Sequence, residues 1–394
     1  MFLGHSDPRW TRVMNAYTVS KPFDLIGVVP HILGYRPNES LVLVTGSRGP
    51  ANRGEVGLTL RFDYGFADAA KLDDDDLDAI AGMVQHSEDA AAVFPIVFSD
   101  EIPAALGLTG EEASDLLFEH FQLPVLLICS ALIEAGYEVV DPLWTGAGFC
   151  GSLTDRTAVF DSTVGTAAEV SVRMIADGMS HADDFTDAVS HPPADGQLLA
   201  DLDLIRREEL SDVDLFDAAL SDILRLHEIA RGGSQHGSLD GLPTARGAVG
   251  IERMCEQLWS RDCIQMMLGF EHPSFLPAEL GRLGPREFMH YARPICSSHE
   301  AAASMIGLSP ERPDFALTGF SVAYLSRLVS VVSIRHRAAV LAILAWMEWS
   351  RARNSFAAHY ASCALELDPD YTLAQLMSAA VAQGMPPAWM AKHQ

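Results

Sequence analysis

Basic residues are nearly missing from the middle of this sequence. Residues 62–200 contain 26 Asp and Glu against three Lys and Arg, whereas residues 1–61 contain four acidic and seven basic residues. Most of the formal net charge of −26 therefore lies in residues 62–200. A surface of this sign repels the phosphates of nucleic acids and of anionic membranes, so neither is an expected partner of this region. The charge favours solubility, with a basic partner or a divalent cation as the alternative interpretation.

Long hydrophobic runs, a secretion signal and a disulfide framework are also missing. The longest uncharged apolar runs are Phe121–Ile133, which contains Pro124, and Ala338–Met347. Both are shorter than the ~20 residues of a membrane-spanning helix and are interpreted as buried core helices. The start, Met1–Asp7, has no basic segment followed by an apolar one, and the six cysteines have no regular spacing. The sequence thus predicts a cytoplasmic protein with reduced thiols.

Motifs for cofactors and metals are the third absence. The patterns G-x-G-x-x-G and G-x-x-x-x-G-K-[ST], which bind nucleotide phosphates, do not occur. The acidic run Asp73–Asp76 lacks the glycine and the terminal glutamate of a calcium loop and suits a helix N-terminus. Four residues have the chemistry of zinc ligands: Cys255, Cys263, Cys296 and His299. They contain no C-x₂-C pair, so we expect no metal and no cofactor, and no catalytic residue is assigned.

The chain of 394 residues is long enough for two domains. Its first part alternates strand and helix patterns, which predicts an α/β domain with a mixed sheet over residues 1–177. The predicted strands are Leu41–Thr45, Glu55–Asp63, Ala92–Phe98, Tyr137–Trp144 and Gly148–Leu153. Between them, two helices are predicted: Asp68–His86, whose early turns contain the acidic run, and the long segment Gly110–Gly136.

Beyond Thr154 the strand patterns fade, which predicts a mainly α-helical domain over residues 206–394. Residues 178–205 show little periodicity and are interpreted as a linker or loop. Near the end, small and turn residues follow the spacing of a 34-residue tetratricopeptide unit: Leu344, Ala345, Ala357, Ala364 and Pro369. Since at least three such units are usually needed for stability, we expect a tetratricopeptide-like helical hairpin packed on the domain rather than a peptide-binding array.

Several segments carry a resemblance to a known family. They are Leu25–Val44, Arg61–Asp63, Ala135–Leu143, Leu367–Tyr371 and Pro386–Trp389. On these segments the sequence resembles the actinobacterial domain-of-unknown-function family 4192. That family carries a Cys-Cys-Pro segment after the fourth strand, whereas only Cys150 lies near that place here. The resemblance supports the fold and implies no activity.

The best candidate for a binding site is the loop between the first helix and the first strand, Gly34–Ser40. Five residues of this loop and of the neighbouring strand end are the predicted ligand-binding set: Arg36, Asn38, Ser40, Arg61 and Asp63. The guanidinium groups of Arg36 and Arg61 could bind a carboxylate or a phosphate. The alternative is an internal network in which either arginine pairs with Asp63 or Glu39. An open pocket without a carboxylate would favour the ligand, and burial of both arginines against those carboxylates would exclude it.

A second candidate surface is a concentration of arginines in the helical domain. Its members are Arg327, Arg335, Arg337, Arg351 and Arg353. We expect these arginines to form an interface, either with an acidic partner or with the acidic region of this chain or of a second copy. A homo-oligomer is compatible with that expectation.

These observations favour a non-catalytic cytoplasmic protein that binds a partner or a ligand in a regulatory or scaffold role. In this interpretation the α/β domain carries the site and the helical domain the interface. The alternative is an enzyme or sensor that binds a small anionic metabolite at the strand ends of the α/β domain, near Arg36 and Arg61, where such sheets place their ligands.

Overall fold

The structure is a computed structural model. It describes residues 19, 21–47, 56–65, 71–85, 90–100, 106–108, 111–162, 169–176, 181–208, 210–232, 238–271, 280, 283–384 and 386–390. The chain forms two compact units that divide between Ser190 and His191. The predicted organisation, an α/β region with a mixed sheet followed by a mainly helical region, is confirmed.

In the part of the first unit that the structure describes, seven strands form one mixed sheet. They are β1 (Ser40–Ser47), β2 (Val56–Asp63), β3 (Ala90–Phe98), β4 (Glu138–Val139), β5 (Leu143–Gly146), β6 (Phe149–Ser152) and β7 (Val159–Asp161). The order is β2-β1-β3-β5-β6-β7, with β4 beside β3. Strand β3 runs parallel to β4 and β5, and the other pairs are antiparallel.

The predicted strand Tyr137–Trp144 is divided in the structure into β4 and β5. Pro142 lies between them, and proline has no backbone N–H to donate to a neighbouring strand. Strand β7 has three residues, two of which are exposed, so it leaves no apolar pattern in the sequence.

The helices of the first unit are α1 (Asp24–Leu33), α2 (Asp74–Val84), α3 (Glu111–Glu134), α4 (Glu169–Ala176) and α5 (Phe185–Val189). Helix α1 ends at Gly34, whose φ of 83° is left-handed. The acidic run does begin a helix, because Asp73 and Asp76 form a reciprocal cap at the start of α2. Helix α3 continues through Pro124 and packs on β3, β4, β5 and β6.

The second unit, over the residues that the structure describes, is built from helices. They are α6 (Gly196–Arg207), α7 (Asp212–Arg231), α8 (Ala245–Cys255), α9 (Leu258–Gly269), α10 (Pro285–Cys296), α11 (His299–Met305), α12 (Phe315–Val331), α13 (Ile334–Ser350), α14 (Asn354–Leu367), α15 (Thr372–Ala382) and a 3₁₀ turn at Ala388–Met390.

Residues 178–205 differ from the predicted loop, because α5 and most of α6 lie there. The side chains of Asp184 and Asp195 cap the two helices by accepting hydrogen bonds from backbone N–H groups. The only buried residues of these helices are Val189 and Leu202, so neither helix has the apolar stripe by which a helix is recognised in a sequence.

Helix α13 is the centre of the second unit, as its apolar sequence predicts. Every residue from Ala338 to Ser350 is buried, and the indole of Trp346 donates a 2.7 Å hydrogen bond to the carbonyl of Met305. Helices α14 and α15 form a hairpin that packs on α13. Its likeness to a tetratricopeptide unit stays a prediction.

Candidate functional site

The predicted ligand-binding residues come together at one edge of the sheet. Ser40, the first residue of β1, pairs with Asp63 at the end of β2 and with Phe98 at the end of β3. Phe98 in turn pairs with Thr145 near the end of β5. The carboxyl ends of β2, β3 and β5 therefore share an edge with the start of β1. We call the polar residues at this edge the strand-end cluster: Arg36, Asn38, Glu39, Ser40, Arg61, Asp63, Ser99 and Asp100.

Asp100 joins three segments of the strand-end cluster. Its carboxylate accepts 3.0 Å and 2.7 Å hydrogen bonds from the Arg36 guanidinium and from the backbone N–H of Ala147. Its own N–H donates to the side-chain oxygen of Asn38 over 2.9 Å. These bonds tie the loop before β1 to the ends of β3 and β5.

The second half of the cluster is organised around Ser40. Its hydroxyl donates to the carbonyl of Asn38 over 2.6 Å and accepts from Arg61 Nε over 2.9 Å. Arg61 also contacts the Asp63 carboxylate at 2.5 Å. The hydroxyl of Ser99 donates to the Glu39 carboxylate over 2.9 Å. The polar groups of the cluster thus bind mainly to one another.

Backbone geometry at this edge is unusual for the residue types present. Glu39 and Ala147 have φ of 43° and 50°, in the left-handed region that favours glycine. At Gly146 a Cβ would lie 1.9 Å from the carbonyl oxygen of Ser99, so no other residue fits. Left-handed non-glycine residues persist only where surrounding contacts hold them, and they concentrate at functional sites.

The charges of the cluster do not leave a vacant cation for an anionic ligand. Arg61 contacts Asp63, as the internal-network interpretation expects, and its side chain is 17% exposed. Arg36 is 40% exposed and pairs with Asp100, a residue outside the predicted set. Ser99 and Asp100 directly follow the predicted strand Ala92–Phe98, so the strand-end rule that selected Asp63 would also have found them.

The five arginines predicted to form an interface do not share one environment. Arg327 donates to the carbonyls of Leu239 and Leu242. Arg351 and Arg353 both approach buried Glu348 to 3.3 Å. Arg335 is exposed and Arg337 is half-buried. Three of the five arginines thus have contacts within the second unit, and an interface through the set stays a prediction.

The cysteine chemistry of the second unit is that of buried thiols. Cys263 and Cys296 hydrogen bond to each other, and this bond together with burial raises the pKa of Cys263. Burial raises the pKa of Cys255 to about 12. All six cysteines are free. Within the described residues, no three His, Cys, Asp or Glu side chains are grouped to hold a metal ion.

One buried carboxylate of the second unit has a strongly shifted pKa. Asp222 in α7 is 2% exposed, and burial raises its pKa to about 6. Its oxygens accept hydrogen bonds from the N–H and hydroxyl of Thr244 and from the hydroxyl of Tyr324, over 2.9, 3.0 and 3.3 Å. Thr244 itself caps α8. Asp222 therefore joins three helices in a place closed to solvent, which is a structural role.

The burial of Asp222 predicts a pH-dependent stability. Because its pKa is higher in the folded protein, its contribution is fully present below the unfolded pKa of about 4 and is lost as pH rises through about 6. Relative to Asp222→Asn, the wild-type free energy of unfolding should fall by about 3 kcal/mol between about pH 4 and pH 7. Urea denaturation of both proteins across this range measures the difference. Parallel pH profiles would contradict the assignment.

Helix α3 exposes apolar side chains on the face opposite the sheet. Leu123, Leu126, Leu127 and Ile133 are 68%, 36%, 47% and 58% exposed, and we call these four residues the α3 stripe. The interpretation of Phe121–Ile133 as a buried core helix therefore holds for one side of the helix only. The run is apolar on all sides, whereas only the side with Phe121, Val125 and Ile128 packs inward.

By length and composition, α3 is the one helix of the described residues that could cross a membrane. Within its most apolar stretch of 18 residues, 39% is buried inside the protein. The core helices of soluble proteins can have the same length and composition. Its buried side packs on the sheet, so the helix is part of the α/β core.

A family comparison covers most of both units. The model of a domain of unknown function, DUF4192, matches residues 22–272 and 321–388. The chain belongs to the DUF4192 family. The match includes the strand-end cluster and α3, so both are parts of the family domain in this DUF4192 protein. Neither a curated protein nor a solved structure matches the chain.

Proposed function

We propose that this DUF4192 protein is a non-catalytic, cytoplasmic partner-binding protein with a scaffold or regulatory role, and that α3 carries its contact surface. The observation behind the proposal is the α3 stripe, in which four large aliphatic side chains are exposed on one helix. Contiguous exposed apolar surface on a folded protein marks an interaction site, whereas single exposed apolar residues carry no such meaning.

Two further observations support a non-catalytic role. The charged side chains of the strand-end cluster contact one another, which leaves Arg36 and Arg61 paired with Asp100 and Asp63. Asp222 has the shifted pKa typical of an active-site acid, yet its carboxylate is sealed between helices of the second unit.

The alternative function is an enzyme or sensor that binds a small anionic metabolite at the strand-end cluster. It is favoured by the position of the cluster at the carboxyl ends of strands, where α/β sheets bind ligands, and by the left-handed backbone at Glu39 and Ala147. The charges oppose it, because the carboxylates of Glu39, Asp63 and Asp100 outnumber two guanidinium groups.

Affinity purification of the tagged chain from its native cytoplasm, with mass spectrometry of proteins and small molecules, tests the proposal. We expect a stoichiometric protein partner that is lost with the double variant Leu123→Glu/Leu127→Glu. The matched control is Leu199→Glu/Leu204→Glu on α6, where the two leucines are 43% and 57% exposed. A bound metabolite without a protein partner, or a partner retained by the α3 variant, would overturn the proposal.

A further inference from the structure

The α3 stripe has the geometry of one half of a helix pair. Leu123, Leu126 and Leu127 follow the i, i+3, i+4 spacing, and Ile133 lies seven residues after Leu126, so all four lie along one side of α3. From Leu123 to Ile133 this side is about 15 Å long at 1.5 Å per residue. A second helix laid along it would cover the stripe with one apolar face.

Acidic groups stand at both ends of the α3 stripe. Glu119 lies one turn before Leu123, and its side chain is 66% exposed. It shares the guanidinium group of Arg156 with Asp115, at 3.1 Å and 2.7 Å, so this group of two carboxylates and one guanidinium keeps one net negative charge. Glu134 lies two turns after Leu127 and is also exposed. The last turn of α3 contains no basic residue, so the partial negative charge of the helix C-terminus adds to that of Glu134. A partner that covers the stripe therefore gains from positive charge at its ends.

The same charges disfavour a second copy of this chain on the stripe. An antiparallel pair of α3 helices centred between Leu126 and Leu127 would place Glu119 of one copy opposite Glu134 of the other. A parallel pair would place each glutamate opposite itself. Because the end with Glu119 keeps a net negative charge beside Arg156, both arrangements bring like net charges together, which opposes association. The acidity of residues 62–200 also opposes an anionic membrane surface.

From these observations we infer that the α3 stripe binds a basic amphipathic α-helix of a protein partner. Such a helix has an apolar side that covers the four residues of the stripe and Lys or Arg near both ends, opposite Glu119 and Glu134. This inference rests on the proposed function and adds the chemical class of the partner. The apolar contact supplies affinity, and the basic ends set the position of the partner along α3.

Binding of defined peptides to the full chain tests the inference by fluorescence anisotropy. The probe is a labelled helical peptide of about 18 residues, long enough to reach both glutamates, with leucines at i, i+3 and i+4 and lysines at its ends. The control peptide has the same composition with its leucines distributed around the helix. We expect the probe to bind at least about tenfold more tightly than the control peptide. Leu123→Glu/Leu127→Glu should abolish this difference, and Leu199→Glu/Leu204→Glu should leave it unchanged.

A charge exchange makes the test specific for the basic ends. Glu134→Lys should weaken binding of the lysine-ended probe and strengthen binding of a glutamate-ended version. Equal binding of probe and control peptide, or no response to the exchange, would overturn the inference.

If affinity purification nevertheless gives a partner that the α3 leucine variant loses, the proposed function stands and only the inference about a basic helix fails. Dimerisation through the stripe, or flotation with vesicles of phosphatidylcholine and phosphatidylserine that the leucine variant abolishes, would also overturn it.

Discussion

Replacing Gly250 with alanine should lower the free energy of unfolding by about 3 kcal/mol or more, near the upper end of overpacking costs. Gly250 lies in α8 where that helix meets α7. A Cβ there would be 2.1 Å from the carbonyl oxygen of Leu215 and 2.9 Å from the Cβ of Ala219. A backbone carbonyl cannot move aside as a side-chain tip can, so the two helices must separate and lose packing along their length.

The matched control for this variant is Gly319→Ala in α12. Among the described residues, no atom outside the helix itself lies within 4 Å of the position that a Cβ of residue 319 would take. Alanine there should stabilise the helix by about 0.5–1 kcal/mol, because glycine loses more backbone entropy on folding. Urea denaturation followed by circular dichroism measures both variants. A wild-type midpoint for Gly250→Ala would show that α7 and α8 are not in this close contact.

Removing the carboxylate of Glu348 should have a comparable effect, with a loss of about 3–5 kcal/mol for Glu348→Ala. The Glu348 side chain is 1% exposed and lies between the guanidinium groups of Arg351 and Arg353. Burial already lowers the pKa of Arg351 to about 10 with the glutamate present. Without Glu348, the buried guanidinium of Arg351 loses the carboxylate that raises its pKa, while the positive charge of Arg353 still lies beside it at the junction of α13 and α14.

Two other substitutions separate charge from volume in this experiment. Glu348→Gln keeps the size and one acceptor oxygen, so its loss of stability should be smaller than that of Glu348→Ala. The loss should still exceed the one caused by removing one partner of a surface ion pair. Asp115→Asn removes a 56% exposed carboxylate that pairs with Arg156 and should cost about 0–1 kcal/mol. Thermal and urea denaturation of the three variants measure the order of these losses of stability. Equal losses for Asp115→Asn and Glu348→Ala would contradict the buried position of Glu348.

The elements that the sequence predicts well are those rich in apolar residues, whether these alternate or form a continuous run. Strand β2 alternates, strands β1 and β3 and helices α3 and α13 contain continuous apolar runs, and all five elements are present. Helix α6 was missed because Leu202 is its only buried residue. Whether an element can be recognised from the sequence therefore depends on how much apolar surface it buries. Short or polar elements are positioned by caps and tertiary contacts instead.

The candidate site shows a second limit of sequence reasoning. Arg36 and Asn38 could be selected because they lie within one short loop, and Arg61 because the adjacent strand ends beside it. Asp100 follows a third predicted strand and could be selected by the same rule, but its pairing with Arg36 depends on the order of the whole sheet, which the sequence does not show. The exposure of Leu127 was also missed, since an all-apolar run does not show which side of a helix faces the sheet.

The state of the cysteines has a practical consequence for labelling. Burial raises the pKa of Cys129 to about 12 and of Cys150 to about 11, so very little reactive thiolate is present at neutral pH. An ordinary exposed cysteine has a pKa near 8.5 and carries far more thiolate. A cysteine introduced at Leu127 would thus react with maleimide well before Cys129, Cys150 or Cys255, and a fluorophore or spin label could report on α3 without removal of these three native thiols.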